Sequence, residues 1–214
     1  MRNLTILIPA AGTSSRMRGS DKLLEPVGGL TLIRRQTLLA LSQTPDVIVT
    51  LRDPDPDRRT ALDGLPVTIL AVPDAATGMA ASIRRAAALI AAALPRPVRA
   101  GVRAGGAALM ILPADMPDLT AADLRLLIAA FDQTPAMILR GSAGTTPGHP
   151  VILPAHLLAA AAALHGDEGA RSILARHSAE IRLIALPDHH ALTDLDTPED
   201  WTAWRHATSS TRAS

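Results

Sequence analysis

The sequence predicts an α/β fold, a mostly parallel sheet with helices on both faces, from three observations. Short apolar, β-branched runs alternate with longer helical stretches from start to finish. Those runs are apolar and β-branched rather than apolar at every second residue, the mark of strands covered on both sides. At 214 residues the chain fits one large domain, whose core needs no disulfide or metal staple.

Taken in order, Leu4–Ile8, Val47–Leu51, Val67–Val72, Ala108–Leu112 and Met137–Leu139 read as buried strands. Helices are expected over Leu32–Leu41, Met79–Leu94 and Ala121–Phe131. In the second, Ile83, Ala87, Ile90 and Leu94 share one face. The last third is less regular. Val151–Leu153, helices over Ala155–Leu164 and Gly169–His177 and a strand Ile181–Leu186 lead to Asp194-Leu195-Asp196 and a closing helix. Thr197 suits that helix's N-cap, Pro198 its first position, and Asp200 can reach back to the cap, so Glu199 and Asp200 are assigned to helix initiation. The domain is taken as residues 1–207, with 208–214, rich in Ser and Thr, a disordered tail.

Composition removes several functions. With 21 basic against 20 acidic side chains and no basic run, nothing suggests nucleic-acid binding. Phe131, Trp201 and Trp204 are the only aromatic side chains of the FWY set, too few for base-stacking platforms. The absence of cysteine excludes thiolate metal sites and cysteine nucleophiles, and is compatible with the cytoplasm. The apolar stretch Leu4 to Ile8 is too short for a signal-peptide core, and alanine-rich Ala86–Leu94 is too short to span a membrane; the expectation is a soluble, cytoplasmic protein.

The first strand delivers Pro9-Ala10-Ala11-Gly12-Thr13-Ser14-Ser15-Arg16-Met17-Arg18-Gly19-Ser20-Asp21-Lys22. Small residues let backbone N–H groups approach an anion, hydroxyls add donors, and Arg16 and Lys22 bring positive charge. It is neither a Walker A loop, since Met17 and Arg18 stand where Gly and Lys are needed, nor a dinucleotide fingerprint, since Ser14 and Met17 replace glycines. On these residues alone it is an anion site or a solvated connection.

Ala10-Ala11-Gly12-Thr13-Ser14-Ser15-Arg16-Met17, with Asp21-Lys22-Leu23-Leu24, resembles the signature of the MobA-like nucleotidyltransferase superfamily, most closely its molybdenum cofactor cytidylyltransferase branch. The resemblance implies a Rossmann-like three-layer sandwich of the nucleotide-diphospho-sugar transferase type. It implies transfer of a nucleoside monophosphate to a phosphorylated acceptor with release of pyrophosphate, helped by Mg²⁺. Carried over, Ala10 to Ser15 cradle the phosphates, and Arg16 and Lys22 neutralise charge there. Arg18-Gly19 departs from the pattern, lengthening the Arg16-to-Lys22 gap by one residue.

Further matches follow in the expected order. Pro73 to Ser82 resembles the second nucleotide loop, in which Gly78 allows close approach and Ser82 can bond the base; the alternative is a plain strand-to-helix turn. Asp115, just past an expected strand in Pro113-Ala114-Asp115-Met116-Pro117, matches the family's metal-binding aspartate, and such a carboxylate can hold Mg²⁺ against triphosphate oxygens. Asp196 is a candidate second metal ligand, preferred to Asp194, although it can instead order the helix start. Gly148-His149-Pro150-Val151 and Gly166-Asp167-Glu168-Gly169-Ala170-Arg171 resemble acceptor-side motifs. These make Gly148, His149, Asp167 and Arg171 acceptor candidates, although Asp167 can simply cap a helix and His149 can be a turn residue.

Alanine at position 11, where the guanylyl branch resembles glycine, favours CTP, and with it molybdopterin or its molybdenum-loaded form as acceptor. A sugar phosphate or another small phosphorylated metabolite is the alternative acceptor. A non-catalytic carrier of the cofactor is a third reading, disfavoured by the intact Arg16, Lys22, Asp115 and Asp196. The branch also implies transient contact with a molybdenum hydroxylase or its maturation factor.

Overall fold

A computed structural model describes residues 4–75, 78–93, 107–166 and 169–212. Its strands are β1 (Leu4–Pro9), β2 (Pro26–Val27), β3 (Leu30–Thr31), β4 (Val47–Leu51), β5 (Thr68–Ala71), β6 (Ala108–Ile111), β7 (Ile138–Ala143), β8 (Thr146–Leu153) and β9 (Ile181–Ala185). Its helices are α1 (Leu32–Leu41), α2 (Pro56–Ala61), α3 (Met79–Ala93), α4 (Ala121–Gln133), α5 (Leu158–Ala162), α6 (Arg171–Arg176) and α7 (Pro198–Arg212).

Seven strands make one sheet in the order β5-β4-β1-β6-β8-β7-β9, while β2 and β3 form a separate small hairpin. The main sheet is parallel except for β8, which runs antiparallel to both β6 and β7. The chain steps outward from β1 to β4 and β5, then returns to β6 on the other side of β1. That reversal is a topological switch point, beyond which strand ends leave a crevice.

The pleat sorts the core into two layers. Ile6 and Ile8 point with Val49 and Met110 towards Ile33 of α1 and Leu124 and Leu127 of α4. Leu7 points the other way with Ile48 and Leu109, against Ile83 and Ala87 of α3 and Leu158 and Ala161 of α5. The result is a three-layer α/β sandwich. Among the described residues no helix is long and apolar enough to cross a membrane.

Several expectations need correction. The helix expected over Ala155–Leu164 is a 3₁₀ turn, Ala155–Leu157, followed by the short α5. His149 is not a turn residue: it lies within β8, a strand obscured in sequence by Pro147, Gly148 and Pro150. The closing helix runs from Pro198 to Arg212. Within it the Thr208 and Ser209 hydroxyls donate back to carbonyls of Trp204 and Arg205 instead of competing for other backbone groups. Leu94 and Asp167 lie outside the described residues.

Candidate active site

The end of β1 and the end of β6 flank the switch point, and the loops leaving them line one cavity of about 230 Å³. Ala10, Ala11, Gly12 and Ser14 come from the first loop, Gly78 and Ser82 from the start of α3, and Asp115 from the turn after β6. Gly78 has φ +87°, a left-handed conformation that lets the chain turn into α3 without a side chain in the way. Thr13 and Ser15 are exposed.

Lys22 sits at the centre of this lobe. Its Nζ donates to Asp115 Oδ2 and Asp196 Oδ1, each at 2.5 Å, with only 15% of the side chain exposed. Arg16 donates to the other oxygen of Asp196. Burial works against the ammonium charge, but the two carboxylates outweigh it and hold the Lys22 pKa above the usual lysine value. Asp196 is held below the usual carboxylate range: burial opposes this, and Lys22 and Arg16 prevail. Asp194 is shifted upward by burial and by repulsion from Asp115 and Asp196, and has no such cation bond.

Each carboxylate is held by neighbouring structure. The Leu195 N–H donates to the Asp115 carbonyl at 3.1 Å, which ties the closing segment to the β6 turn. Fully buried Gln36 of α1 donates to the Met116 carbonyl. The Trp204 indole N–H donates to Asp118 at 2.7 Å, giving that aspartate a structural task. Asp200 accepts the N–H groups of Asp196 and Thr197 while Thr197 Oγ accepts that of Asp200, so the cap of α7 also aims Asp196. Trp201 and Leu195 pack on Met17, fastening α7 against the first loop.

A metal ion fits this donor set. Oxygens of Asp115 and Asp196 already converge on one cationic nitrogen, and both are hard donors of the kind Mg²⁺ takes. Among the described residues no group of three or more His, Asp or Glu is arranged as a metal site, so substrate oxygens and water must complete the shell.

The most deeply engaged residue of the loop was not among the sequence candidates. Arg58 of α2, wholly buried, forks onto both oxygens of Asp21 (2.7 and 2.8 Å). It also donates to the carbonyls of Ala10 (2.6 Å) and Gly12 (2.7 Å) and to Ser14 Oγ (3.1 Å). Ser14 in turn donates to Asp21, so its hydroxyl is spent inside the protein. Because carbonyls of the loop turn towards Arg58, the backbone there is fixed before any ligand arrives. The one sequence signal was Asp55-Pro56, a capped start; Asp55 does accept the Arg58 N–H, but a six-residue helix gives no periodicity to read.

A second cavity, of about 240 Å³, adjoins the first, with Met79 in the wall of both. Arg140, His149 and Arg171 supply its polar lining, and Ile83, Val151 and Leu174 its apolar part. Gly148 is absent from the lining of either cavity: its α-carbon is pressed against Ala191, and an added Cβ would run into that residue's carbonyl. Burial, helped by the Arg140 charge and opposed by Asp115, pushes the His149 imidazole down to about 4, so it is neutral at pH 7. The unfolded chain would take up that proton near pH 6.5, so stability is lost as pH falls from there towards 4. A His149→Gln variant should escape roughly 3 kcal/mol of that acid destabilisation, read as the pH dependence of urea midpoints against the parent. An unchanged acid slope would contradict the buried neutral imidazole.

A cationic loop at a switch point, facing two carboxylates and opening onto a second lobe, suits a transferase that manages phosphate charge. The chain belongs to the MobA-like NTP transferase domain family, whose model matches residues 6–181, and is a nucleotidyltransferase. It is similar to Rv0371c from Mycobacterium tuberculosis H37Rv, at 28% identity over 94% of this chain and 96% of that one, with TM-score 0.70. A manganese complex of Rv0371c matches at 25% identity and TM-score 0.66, covering 94% and 97%. In fold it is also similar to a nucleotidyl transferase from Methanothermobacter (17% identity, 97% and 98% covered, TM-score 0.73). CMP:2-keto-3-deoxy-manno-octonic acid synthetase complexed with CTP is a further fold relative (16%, 98% and 99%, TM-score 0.67). No curated protein matches the chain.

Proposed function

We propose that this nucleotidyltransferase moves CMP from CTP to molybdopterin, or to its molybdenum-loaded form, and releases pyrophosphate. The observation that carries the reading is the two-lobed cleft: Lys22, Asp115 and the Gly12 loop on one side of Met79, Arg140, His149 and Arg171 on the other. The first lobe suits a triphosphate, and the second an acceptor with an apolar body and an anionic end. Ala11 supports cytidine, since the branch with alanine at this position is the one the loop resembles. It is buried against Val72 and Ala81, in the wall between β5 and α3.

In this mechanism an acceptor phosphate oxygen attacks the α-phosphorus in line, and the bond to the oxygen bridging α and β breaks as pyrophosphate departs. Lys22 and Arg16 neutralise the phosphate oxygens, loop N–H groups act as fixed donors, and Asp115 and Asp196 would hold Mg²⁺. When bound, that ion supplies charge neutralisation and alignment of the phosphates. No side chain need form a covalent intermediate.

A pyrophosphate-release screen of CTP, GTP, UTP and ATP, with and without molybdopterin, tests the reading. Release is expected with CTP and molybdopterin together; release with CTP and a sugar phosphate instead would assign another acceptor, and none with any pair would leave a carrier. Asp115→Asn, which keeps shape but loses charge, should reduce turnover on the order of 100-fold with the fold intact by circular dichroism. Near-parental turnover would remove Asp115 from the metal site.

A further inference from the structure

Among the described residues Arg140 bonds only to backbone carbonyls. Its Nε donates to the Gly148 carbonyl at 2.8 Å and its Nη2 to the Pro147 carbonyl at 3.4 Å, both on the neighbouring strand β8. Among the described residues no carboxylate lies within ion-pair distance of it; the contrast is with Lys22 and Arg58, which each have aspartate partners. Burial alone depresses its pKa, with no compensating charge. The same guanidinium lines the second lobe beside His149, whose Nδ1 is buried with no hydrogen-bond partner. A pinned, partly buried guanidinium open to a cavity, next to a neutral imidazole, is short of an oxyanion.

We propose that Arg140 binds the phosphate of the acceptor substrate, as the fixed anion receptor of the second lobe, with the exposed Arg171 closing on the same group. The proposal rests on reading that lobe as the acceptor site. Two carbonyl bonds hold the fork before the ligand comes, so the phosphate meets a donor set already oriented, near enough to Asp115 that both charges act on His149. The apolar part of the lobe, Ile83, Val151 and Leu174, would take the body of the acceptor.

Inorganic phosphate is the probe. Calorimetric titration of the full chain should show two classes of site, one in each lobe. Lys22→Met should abolish the first class and leave the second. Arg140→Met should weaken the second class about tenfold or more while leaving the first class and CTP affinity unchanged, and Arg140→Lys should recover part of the loss as a point charge without a fork. Acetate should compete poorly. An Arg140→Met isotherm identical to the parent's would overturn the proposal, as would equal weakening of both classes together with CTP binding, which marks a merely structural role. The function can fail separately: a second-class phosphate site lost in Arg140→Met, in a protein that releases no pyrophosphate from CTP, would sink cytidylyl transfer and retain Arg140 as the receptor.

Discussion

Lys22→Ala should lower pyrophosphate release from CTP by on the order of 100- to 1,000-fold, the range typical for removing one preorganised electrostatic group. Among the described residues its ammonium bonds only to Asp115 and Asp196, so no further contact masks the effect. With it gone, those two carboxylates and Asp194 repel one another without the central charge, so nucleotide loading should suffer as well as turnover. The pH dependence has a definite sign. The raised Lys22 pKa keeps the ammonium charged through and beyond the ordinary lysine range, so its stabilisation is complete below pH 10.5 and fades only above it. An alkaline decline near pH 8 would therefore belong to another group. Steady-state assays of the parent and Lys22→Ala between pH 6 and 10 decide this, and a variant with parental kcat would end the role assigned to Lys22.

Arg58→Met should cost about 3–5 kcal/mol of stability, the usual penalty for breaking a buried ion pair from one side. Asp21 would lose both its guanidinium bonds and Asp55 its buried neighbour, and the Ala10 and Gly12 carbonyls would lose their donor. That is a large share of the ~5–15 kcal/mol by which domains are stable. The urea midpoint should drop accordingly. Arg58→Lys should recover little, since an ammonium cannot satisfy partners spread around a planar fork. An unfolding free energy within about 0.5 kcal/mol of the parent would show that the loop does not depend on Arg58.

The parts of the fold that could be read in the sequence were those with long or strong local signals. β4 and α1 have the limits expected, Val47–Leu51 and Leu32–Leu41, because the first is a closed apolar run and the second a full three-turn pattern. α2, the β2–β3 hairpin and the length of β8 escaped because they are too short, or too rich in Pro and Gly, to carry periodicity. The same divide holds at the cleft. Asp115 and Lys22 stand at loop positions where a charged residue has an evident purpose, and the structure brings them together. Arg58 is one of two adjacent arginines in an acidic, proline-rich segment, where nothing in the sequence sets it apart from Arg59; only the tertiary fold buries it against Asp21. Arg140 was hidden for a similar reason, since its place beside His149 in the second lobe comes from strand pairing, which no sequence pattern displays.

The closing segment has a consequence for how the molecule is made. Lys22 meets Asp196 across 174 residues and Arg16 meets it across 180, and Met17 is covered by Trp201 from α7. During synthesis the sheet's first strands emerge long before these partners exist. The loop that would hold the nucleotide must wait, with Lys22 paired to Asp115 alone, until residue 196 has left the ribosome. Such a long closure is slow to form. A nascent chain halted before residue 196 should therefore have most of its sheet yet lack the second carboxylate on its lysine, so competence for the reaction waits on the closing segment.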